Sequence, residues 1–288
     1  MNRLTGTLST DWARLTAVSW LDVSANNLTG TLPSELGHLT ALTWLAVDSN
    51  LLTGTIPTQL SRLTSLGKFY GYNNNFHGTL PTEIGKWTAM SYLDLSTISL
   101  VGTLPTELGQ LTTLTLLNLG QNMLSGTLPT ETGLLVNLKE FYAATNKLTG
   151  TLPTQLGQLT SLEHLSLATN SLNGTLPTEL GQLTSVTTFH VGFNFLTGTL
   201  PTEFGQFTGL QGIFLHDNLF YGTLPTELGK LTDLNFFFIY NNPLMGTIPT
   251  ELGLLTRVEH FFVSSNGLTG TLPPELGKLT ALQWFFID

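Results

Sequence analysis

The feature that most constrains this chain is an unbroken period. Gly6, Gly30, Gly54, Gly78, Gly102, Gly126, Gly150, Gly174, Gly198, Gly222, Gly246 and Gly270 stand 24 residues apart, and each is followed by Thr and then by Leu or Ile. The string GTLPTELGQLT occurs unchanged at 102–112 and again at 174–184. Twelve such repeats fill all 288 residues without insertion or deletion. A fixed period of roughly 20 to 29 residues marks a solenoid, in which each repeat buries its apolar face only by stacking on its neighbours. Length alone, at about 150 residues per domain, would suggest two domains. The period overrides that and predicts one array over residues 1–288.

Composition narrows the function classes. Apolar residues make up 41% and charged residues only 10%, so the core is ample and the surface is built mainly from Thr, Asn, Gln and Ser. A net charge of −9 argues against a nucleic-acid partner, which needs a basic stripe. No apolar run is long enough for a membrane span, and the start MNRLTGTLSTDWARLTAVSW has no apolar signal-peptide region. With no cysteine, disulfide and thiol chemistry are excluded. Asn27 and Asn173 fit N-glycosylation sequons, as Asn- and Thr-rich chains do by chance.

One repeat, LTWLAVDSNLLTGTIPTQLSRLTS at 42–65, shows the design. The alternation of Leu45 and Val47 predicts a short strand with one face buried. Asn50 follows, and the same slot is Asn in every repeat except at Ile98. A buried amide there can satisfy turn backbone within and between repeats. LTGTIP reads as a second extended segment. The Pro sets up a short helical turn on the outer side. Glu35, Glu83, Glu107, Glu179 and Glu227 suit the first residues of that turn, and the Gly after Glu-Leu is expected to end it.

The pattern LxxLxLxxNxLTGTLPTELGxLT, present along the whole chain, resembles the plant-type leucine-rich repeat. The resemblance implies an α/β solenoid whose parallel sheet lines a concave side, with a second short strand and 3-10 turns on the convex side. It also implies a non-enzymatic recognition module, extracellular or at the cell surface, like receptor-kinase ectodomains, inhibitors of cell-wall hydrolases or some antifreeze proteins. Cysteine-bearing caps are missing and both ends fall inside repeats, so the array is expected to be truncated or capless, with self-association through its open ends or an aromatic band.

Function is expected where outward positions vary. Residues flanking the buried strand positions point out. In the last strands they are His190, Phe193, Phe214, His216, Phe236, Phe238, Tyr240, His260, Phe262, Trp284 and Phe286. Neighbouring strands lie about 4.8 Å apart, so these rings should form a continuous band for a protein or peptide ligand. The first strands present Trp20, Asp22, Trp44, Asp48, Tyr70, Tyr72, Tyr92 and Asp94, a group that could stack on and hydrogen-bond a sugar or peptide. His164, His190 and His216 run diagonally at roughly 8 Å spacing, too loose for a metal; they read as exposed histidines titrating near pH 6 to 7. No nucleophile–base set or phosphate loop is present, and neither cofactor nor metal is expected.

A second surface competes. The Thr–Gly–Thr motif places two Thr columns on one face. The second column is Thr in all twelve repeats, including Thr31, Thr55, Thr151, Thr175 and Thr199. The first is Thr in six, including Thr29, Thr53, Thr149 and Thr197, and is interrupted by His77, Val101, Tyr221 and Met245. A regular uncharged Thr lattice resembles the ice-binding face of antifreeze solenoids. The plainer reading is that Thr is a good strand residue copied by duplication.

Overall fold

The computed structural model describes residues 2–288. They form two compact units, the first ending at Lys147 and the second spanning Leu148–Asp288. Twelve three-residue strands build a parallel sheet in chain order. The first unit contributes Trp20–Asp22, Trp44–Ala46, Lys68–Tyr70, Tyr92–Asp94, Leu116–Asn118 and Glu140–Tyr142. The second contributes His164–Ser166, Thr188–His190, Gly212–Phe214, Phe236–Phe238, His260–Phe262 and Trp284–Phe286. Register follows the period: Leu45 faces Phe69, and Phe237 faces Phe261. A residue and its counterpart in the next repeat therefore share one column, which is what arrays the outward side chains.

Alternation fixes which side is buried. Leu45, Phe69, Ile213, Phe237 and Phe261 point inward and are fully buried; each such side chain stabilises by about 1.5–3 kcal/mol over exposure. Trp87 closes the first unit's core edge-on to Phe69 and donates its indole N–H to the Leu60 carbonyl at 2.8 Å. In the second unit Phe189, Phe204 and Phe207 fill the corresponding space.

The Asn slot ties repeats together. Asn50 Oδ1 accepts the Leu28 N–H at 3.0 Å, while its Nδ2 donates to the carbonyls of Val23, Val47 and Asp48. Asn218 makes the same four bonds in the second unit. The residue before the Asn is left-handed without being glycine, from Ala25 to Ser265, with φ between 51° and 57°. That strain persists because the amide bonds on both sides dictate the turn. At Ile98 the turn is rewired. Thr97 Oγ1 accepts the Asn73 N–H and donates to Asn73 Oδ1, and the N–H groups of Ile98 and Leu100 both reach Asn122 Oδ1. Ser99 becomes an additional left-handed residue, and the Ile98 side chain is fully buried.

The repeated string has two glycines with different jobs. The one in Thr–Gly–Thr has positive φ, and at Gly174 an added Cβ would lie 2.6 Å from the Thr151 methyl of the preceding repeat. The one after Glu-Leu does not end the turn, contrary to expectation. Gly109 lies inside the 3-10 turn Thr106–Gln110, and a Cβ there would meet the Glu131 carbonyl oxygen at 2.5 Å. It is Gly because successive turns pack backbone to backbone. Among the described residues no helix is long and apolar enough to cross a membrane.

Candidate functional site

In the second unit, the rings from His190 to Phe286 named for the band join one cluster on the outward side of the strands. Down the central column, His190 meets Phe214 at 4.9 Å between centroids and Phe214 meets Phe238 at 5.1 Å. Phe238 stacks on Phe262 at 4.5 Å, and Phe262 meets Phe286 edge-on at 4.7 Å. Phe236, His260 and Trp284 form a flanking column. On the other flank Tyr240 stacks on His216 at 4.7 Å and Phe193 meets the same imidazole edge-on at 5.1 Å. The inward slots beside them are already filled by Ile213, Leu215, Phe237, Ile239, Phe261 and Val263. Phe193 is 50% exposed while holding the left-handed conformation that precedes Asn194, a costly backbone for a bulky residue.

The histidines differ from the exposed groups the sequence suggested. His216 is only 5% exposed, because Gly192 leaves an open slot and the ring lies directly over it. His190 and His216 sit 5.6 Å apart, and His190 Nε2 and His216 Nδ1 are buried with no hydrogen-bond partner. Burial lowers both pKa values, that of His190 to about 4 with a further push from His216. Burial thus favours the neutral imidazole in both. His164 instead approaches the Thr187 hydroxyl. Among the described residues no three of His, Cys, Asp and Glu converge as metal ligands.

The first unit's face is chemically different. Trp20 stacks on Trp44 at 3.8 Å, Trp44 meets Tyr70 at 4.9 Å, and Tyr70 meets Tyr92 at 4.6 Å. Lys68 Nζ lies over the Trp44 ring at 4.8 Å. Asp48 and Asp94 are buried, 7% and 9% exposed, whereas Asp22 is exposed. Asp94 accepts from the Ser96 N–H and hydroxyl and from Asn118 Nδ2. Burial raises the Asp48 carboxyl above its ordinary value, opposed by hydrogen bonds from Tyr72 and Ser49. Burial and the neighbouring carboxylates push Tyr72 and Tyr92 up to about 12. Tyr142, whose hydroxyl donates to Glu140 at 2.9 Å, is also raised.

The Thr face is arranged as the motif suggests. The second-column threonines are exposed in both units, and those from Thr151 to Thr247, like Thr7 to Thr103, turn their methyl toward the glycine of the next repeat. First-column hydroxyls serve the scaffold instead: Thr29 and Thr53 donate to the carbonyls of Gly6 and Gly30. The sequence reading overlooked Phe195 and Leu219, 57% and 50% exposed on the lateral edge of the second unit. Their outward direction was legible from buried Leu196 and Phe220 beside them.

The repeats have the geometry of leucine-rich repeats, and comparison with known proteins agrees. The leucine-rich repeat region family matches residues 74–205, and the leucine-rich repeat family matches 17–39 and 257–279. The chain belongs to the leucine-rich-repeat proteins, of the plant type; such repeat domains are typically non-catalytic.

Among solved structures, the plant peptide hormone receptor RGFR1 in complex with RGF2 is 34% identical with a TM-score of 0.96, over 98% of this chain and 45% of that one. A TDR receptor is 32% identical with a TM-score of 0.95, over 99% of this chain and 50% of that one. The chain thus spans about half the length of these receptors. A plant ice-binding protein is 27% identical with a TM-score of 0.73, over 88% of this chain and 82% of that one. No curated protein matches the sequence.

Proposed function

We propose that the chain is a recognition module without catalytic activity, which binds a peptide or protein segment on the strand face of its second unit. The observation that carries this is the ring cluster from His190 to Phe286, outward-facing beside inward slots that are already full. Such rings add a few tenths to about 1 kcal/mol each to folding through cross-strand contacts. As desolvated anchors in a complex they can contribute about 2 kcal/mol or more. The similarity to a peptide hormone receptor supports the reading.

The test is selection of random peptides on the wild-type chain, followed by titration against Phe238→Ala/Phe262→Ala, with circular dichroism to confirm folding. Selected peptides should bind the double variant at least about tenfold more weakly. If they bind both proteins equally, the ring cluster is structural only.

A second reading, ice binding by the Thr face, is favoured by the exposed, uniformly oriented second-column threonines and by the likeness to a plant ice-binding protein. Interruption of the first column at His77, Val101, Tyr221 and Met245 places it second. Inhibition of ice recrystallisation that is lost in Thr151→Tyr/Thr175→Tyr and kept in Phe238→Ala/Phe262→Ala would reverse the order.

A further inference from the structure

We infer that the strand face of the first unit is a cation subsite, which takes the guanidinium or ammonium group of a basic peptide side chain. The class of ligand rests on the peptide-recognition reading above; the residues are different ones.

The first argument is charge that has no counter-charge. Burying a carboxylate is costly unless a cation compensates it. Asp48 and Asp94 are buried, yet their partners are neutral: Tyr72 and Ser49 for one, Ser96 and Asn118 for the other. The ion pairs Arg14–Asp11 and Arg257–Asp233 lie elsewhere. The only basic residue within the six strands is Lys68, against the acidic Asp22, Asp94 and Glu140, with Asp48 just beyond its strand.

The second argument is the aromatic ladder beside those carboxylates. Ring faces attract cations, and this ladder already holds one, since the Lys68 ammonium rests on Trp44. Trp20 stacks face to face on Trp44 and extends the ladder by another ring. Tyr70 and Tyr92 continue it toward Asp94, which belongs to the same strand as Tyr92. A guanidinium lying along these rings can donate to the lone pairs that Asp94 and Asp48 still have free. A neutral sugar could use the same platform, but it would leave both carboxylate charges uncompensated.

The experiment is isothermal titration calorimetry of the whole chain with tetra-arginine, tetra-glutamate and cellotetraose. Tetra-arginine should bind, more weakly as salt rises, and the other two should not. Asp48→Asn/Asp94→Asn should weaken tetra-arginine at least about tenfold. Glu203→Gln/Glu227→Gln, the same charge change on the turns of the second unit, should weaken it less than about twofold. Phe238→Ala/Phe262→Ala should leave it unchanged, which separates this subsite from the ring cluster. Where circular dichroism shows the Asn pair unfolded, Asp94→Asn alone takes its place, because its amide oxygen can keep the Ser96 bonds. Equal weakening by the Asn and Gln pairs, absence of tetra-arginine binding, or tighter binding of cellotetraose would each overturn the inference.

Discussion

In the first unit the outward strand positions set carboxylates among rings: Asp22, Asp94 and Glu140 share the strands with Trp20, Trp44, Tyr70, Tyr92 and Tyr142. In the second unit histidines take that place, and the rings around them are mostly phenylalanine. The inward positions are apolar in both, and the Asn ladder runs through both except at Ile98. Duplication fixed the buried positions, because each must fit the next copy of itself. Only positions with no stacking duty were free to diverge, and they diverged toward a charged, hydrogen-bonding face and an almost uncharged one.

The shared scaffold is tested by the largest expected effect. Asn50→Leu in the first unit and Asn218→Leu in the second each remove four hydrogen bonds, all buried but the partly buried one to Val23, and strand their partners. At about 1–3 kcal/mol for each buried group left unsatisfied, less what water recovers, each should cost about 4 kcal/mol. Hydrogen exchange should show protection lost around the altered repeat, to a similar extent in the two units. A loss in one unit only would mean that the scaffolds are not equivalent.

A smaller effect distinguishes the faces, with opposite signs. His190 and His216 are neutral in the fold, so below the ordinary histidine pKa the unfolded chain binds protons that the folded one refuses. Through His190 the second unit should lose stability as pH falls from about 6.5 to about 4, by at most about 3 kcal/mol, and His216 adds a loss of the same sign. The groups facing the pair are Ser166 and Phe214 on the strands adjoining His190, and Asp217, Tyr240, Phe193 and Phe238 around His216. Of these, Asp217 alone favours the charged form, as a secondary influence on His216. Asp48 acts the other way. Its raised pKa means that the folded first unit takes up a proton more readily than the unfolded chain, so its contribution is full below the ordinary carboxylate pKa and is lost as pH rises. Hydrogen exchange at pH 7 and pH 4.5 should therefore show the second unit losing protection relative to the first. His190→Phe/His216→Phe should abolish the second unit's own loss of protection; if that loss survives, another group is responsible.

Much of this was legible in the sequence. The 24-residue period fixed the stacking, and alternation along each strand separated Phe237 from Phe236 and Phe238. What stayed hidden depends on the neighbouring repeat. His216 reads as an exposed strand residue until the bare Gly192 beside it is placed in space. Tyr70 leaves its own column to bridge Trp44 and Tyr92. The left-handed residues before each Asn carry no glycine to announce them, because the Asn side chain holds the turn. Gly109 looks like a helix terminator and is a packing contact.

The smallest expected effect concerns the one place where the first unit departs from the ladder. Asn at position 98 would complete the ladder, and from the sequence Ile98→Asn is expected to stabilise the array or leave it neutral. Two opposing quantities decide between these. Replacing a fully buried Ile forfeits about 2 kcal/mol of apolar burial. An Asn would offer an acceptor to the Phe76 N–H and donors to nearby carbonyls, each contributing about 1 kcal/mol. Those carbonyls are already served, since Gly71 accepts from Asn74 and Leu95 accepts from Asn122. The Thr97–Asn73 pair has meanwhile taken over part of the turn. Gain and loss nearly cancel, so Ile98→Asn should change stability by less than about 1 kcal/mol. Thr97→Val in the natural background should cost more, because it strips the substitute hydrogen bonds and leaves the Asn73 amide facing a methyl group. Denaturant unfolding of the two variants checks the order. A gain of more than about 2 kcal/mol for Ile98→Asn would show that the rewired turn is a weakness after all, one with no counterpart in the second unit.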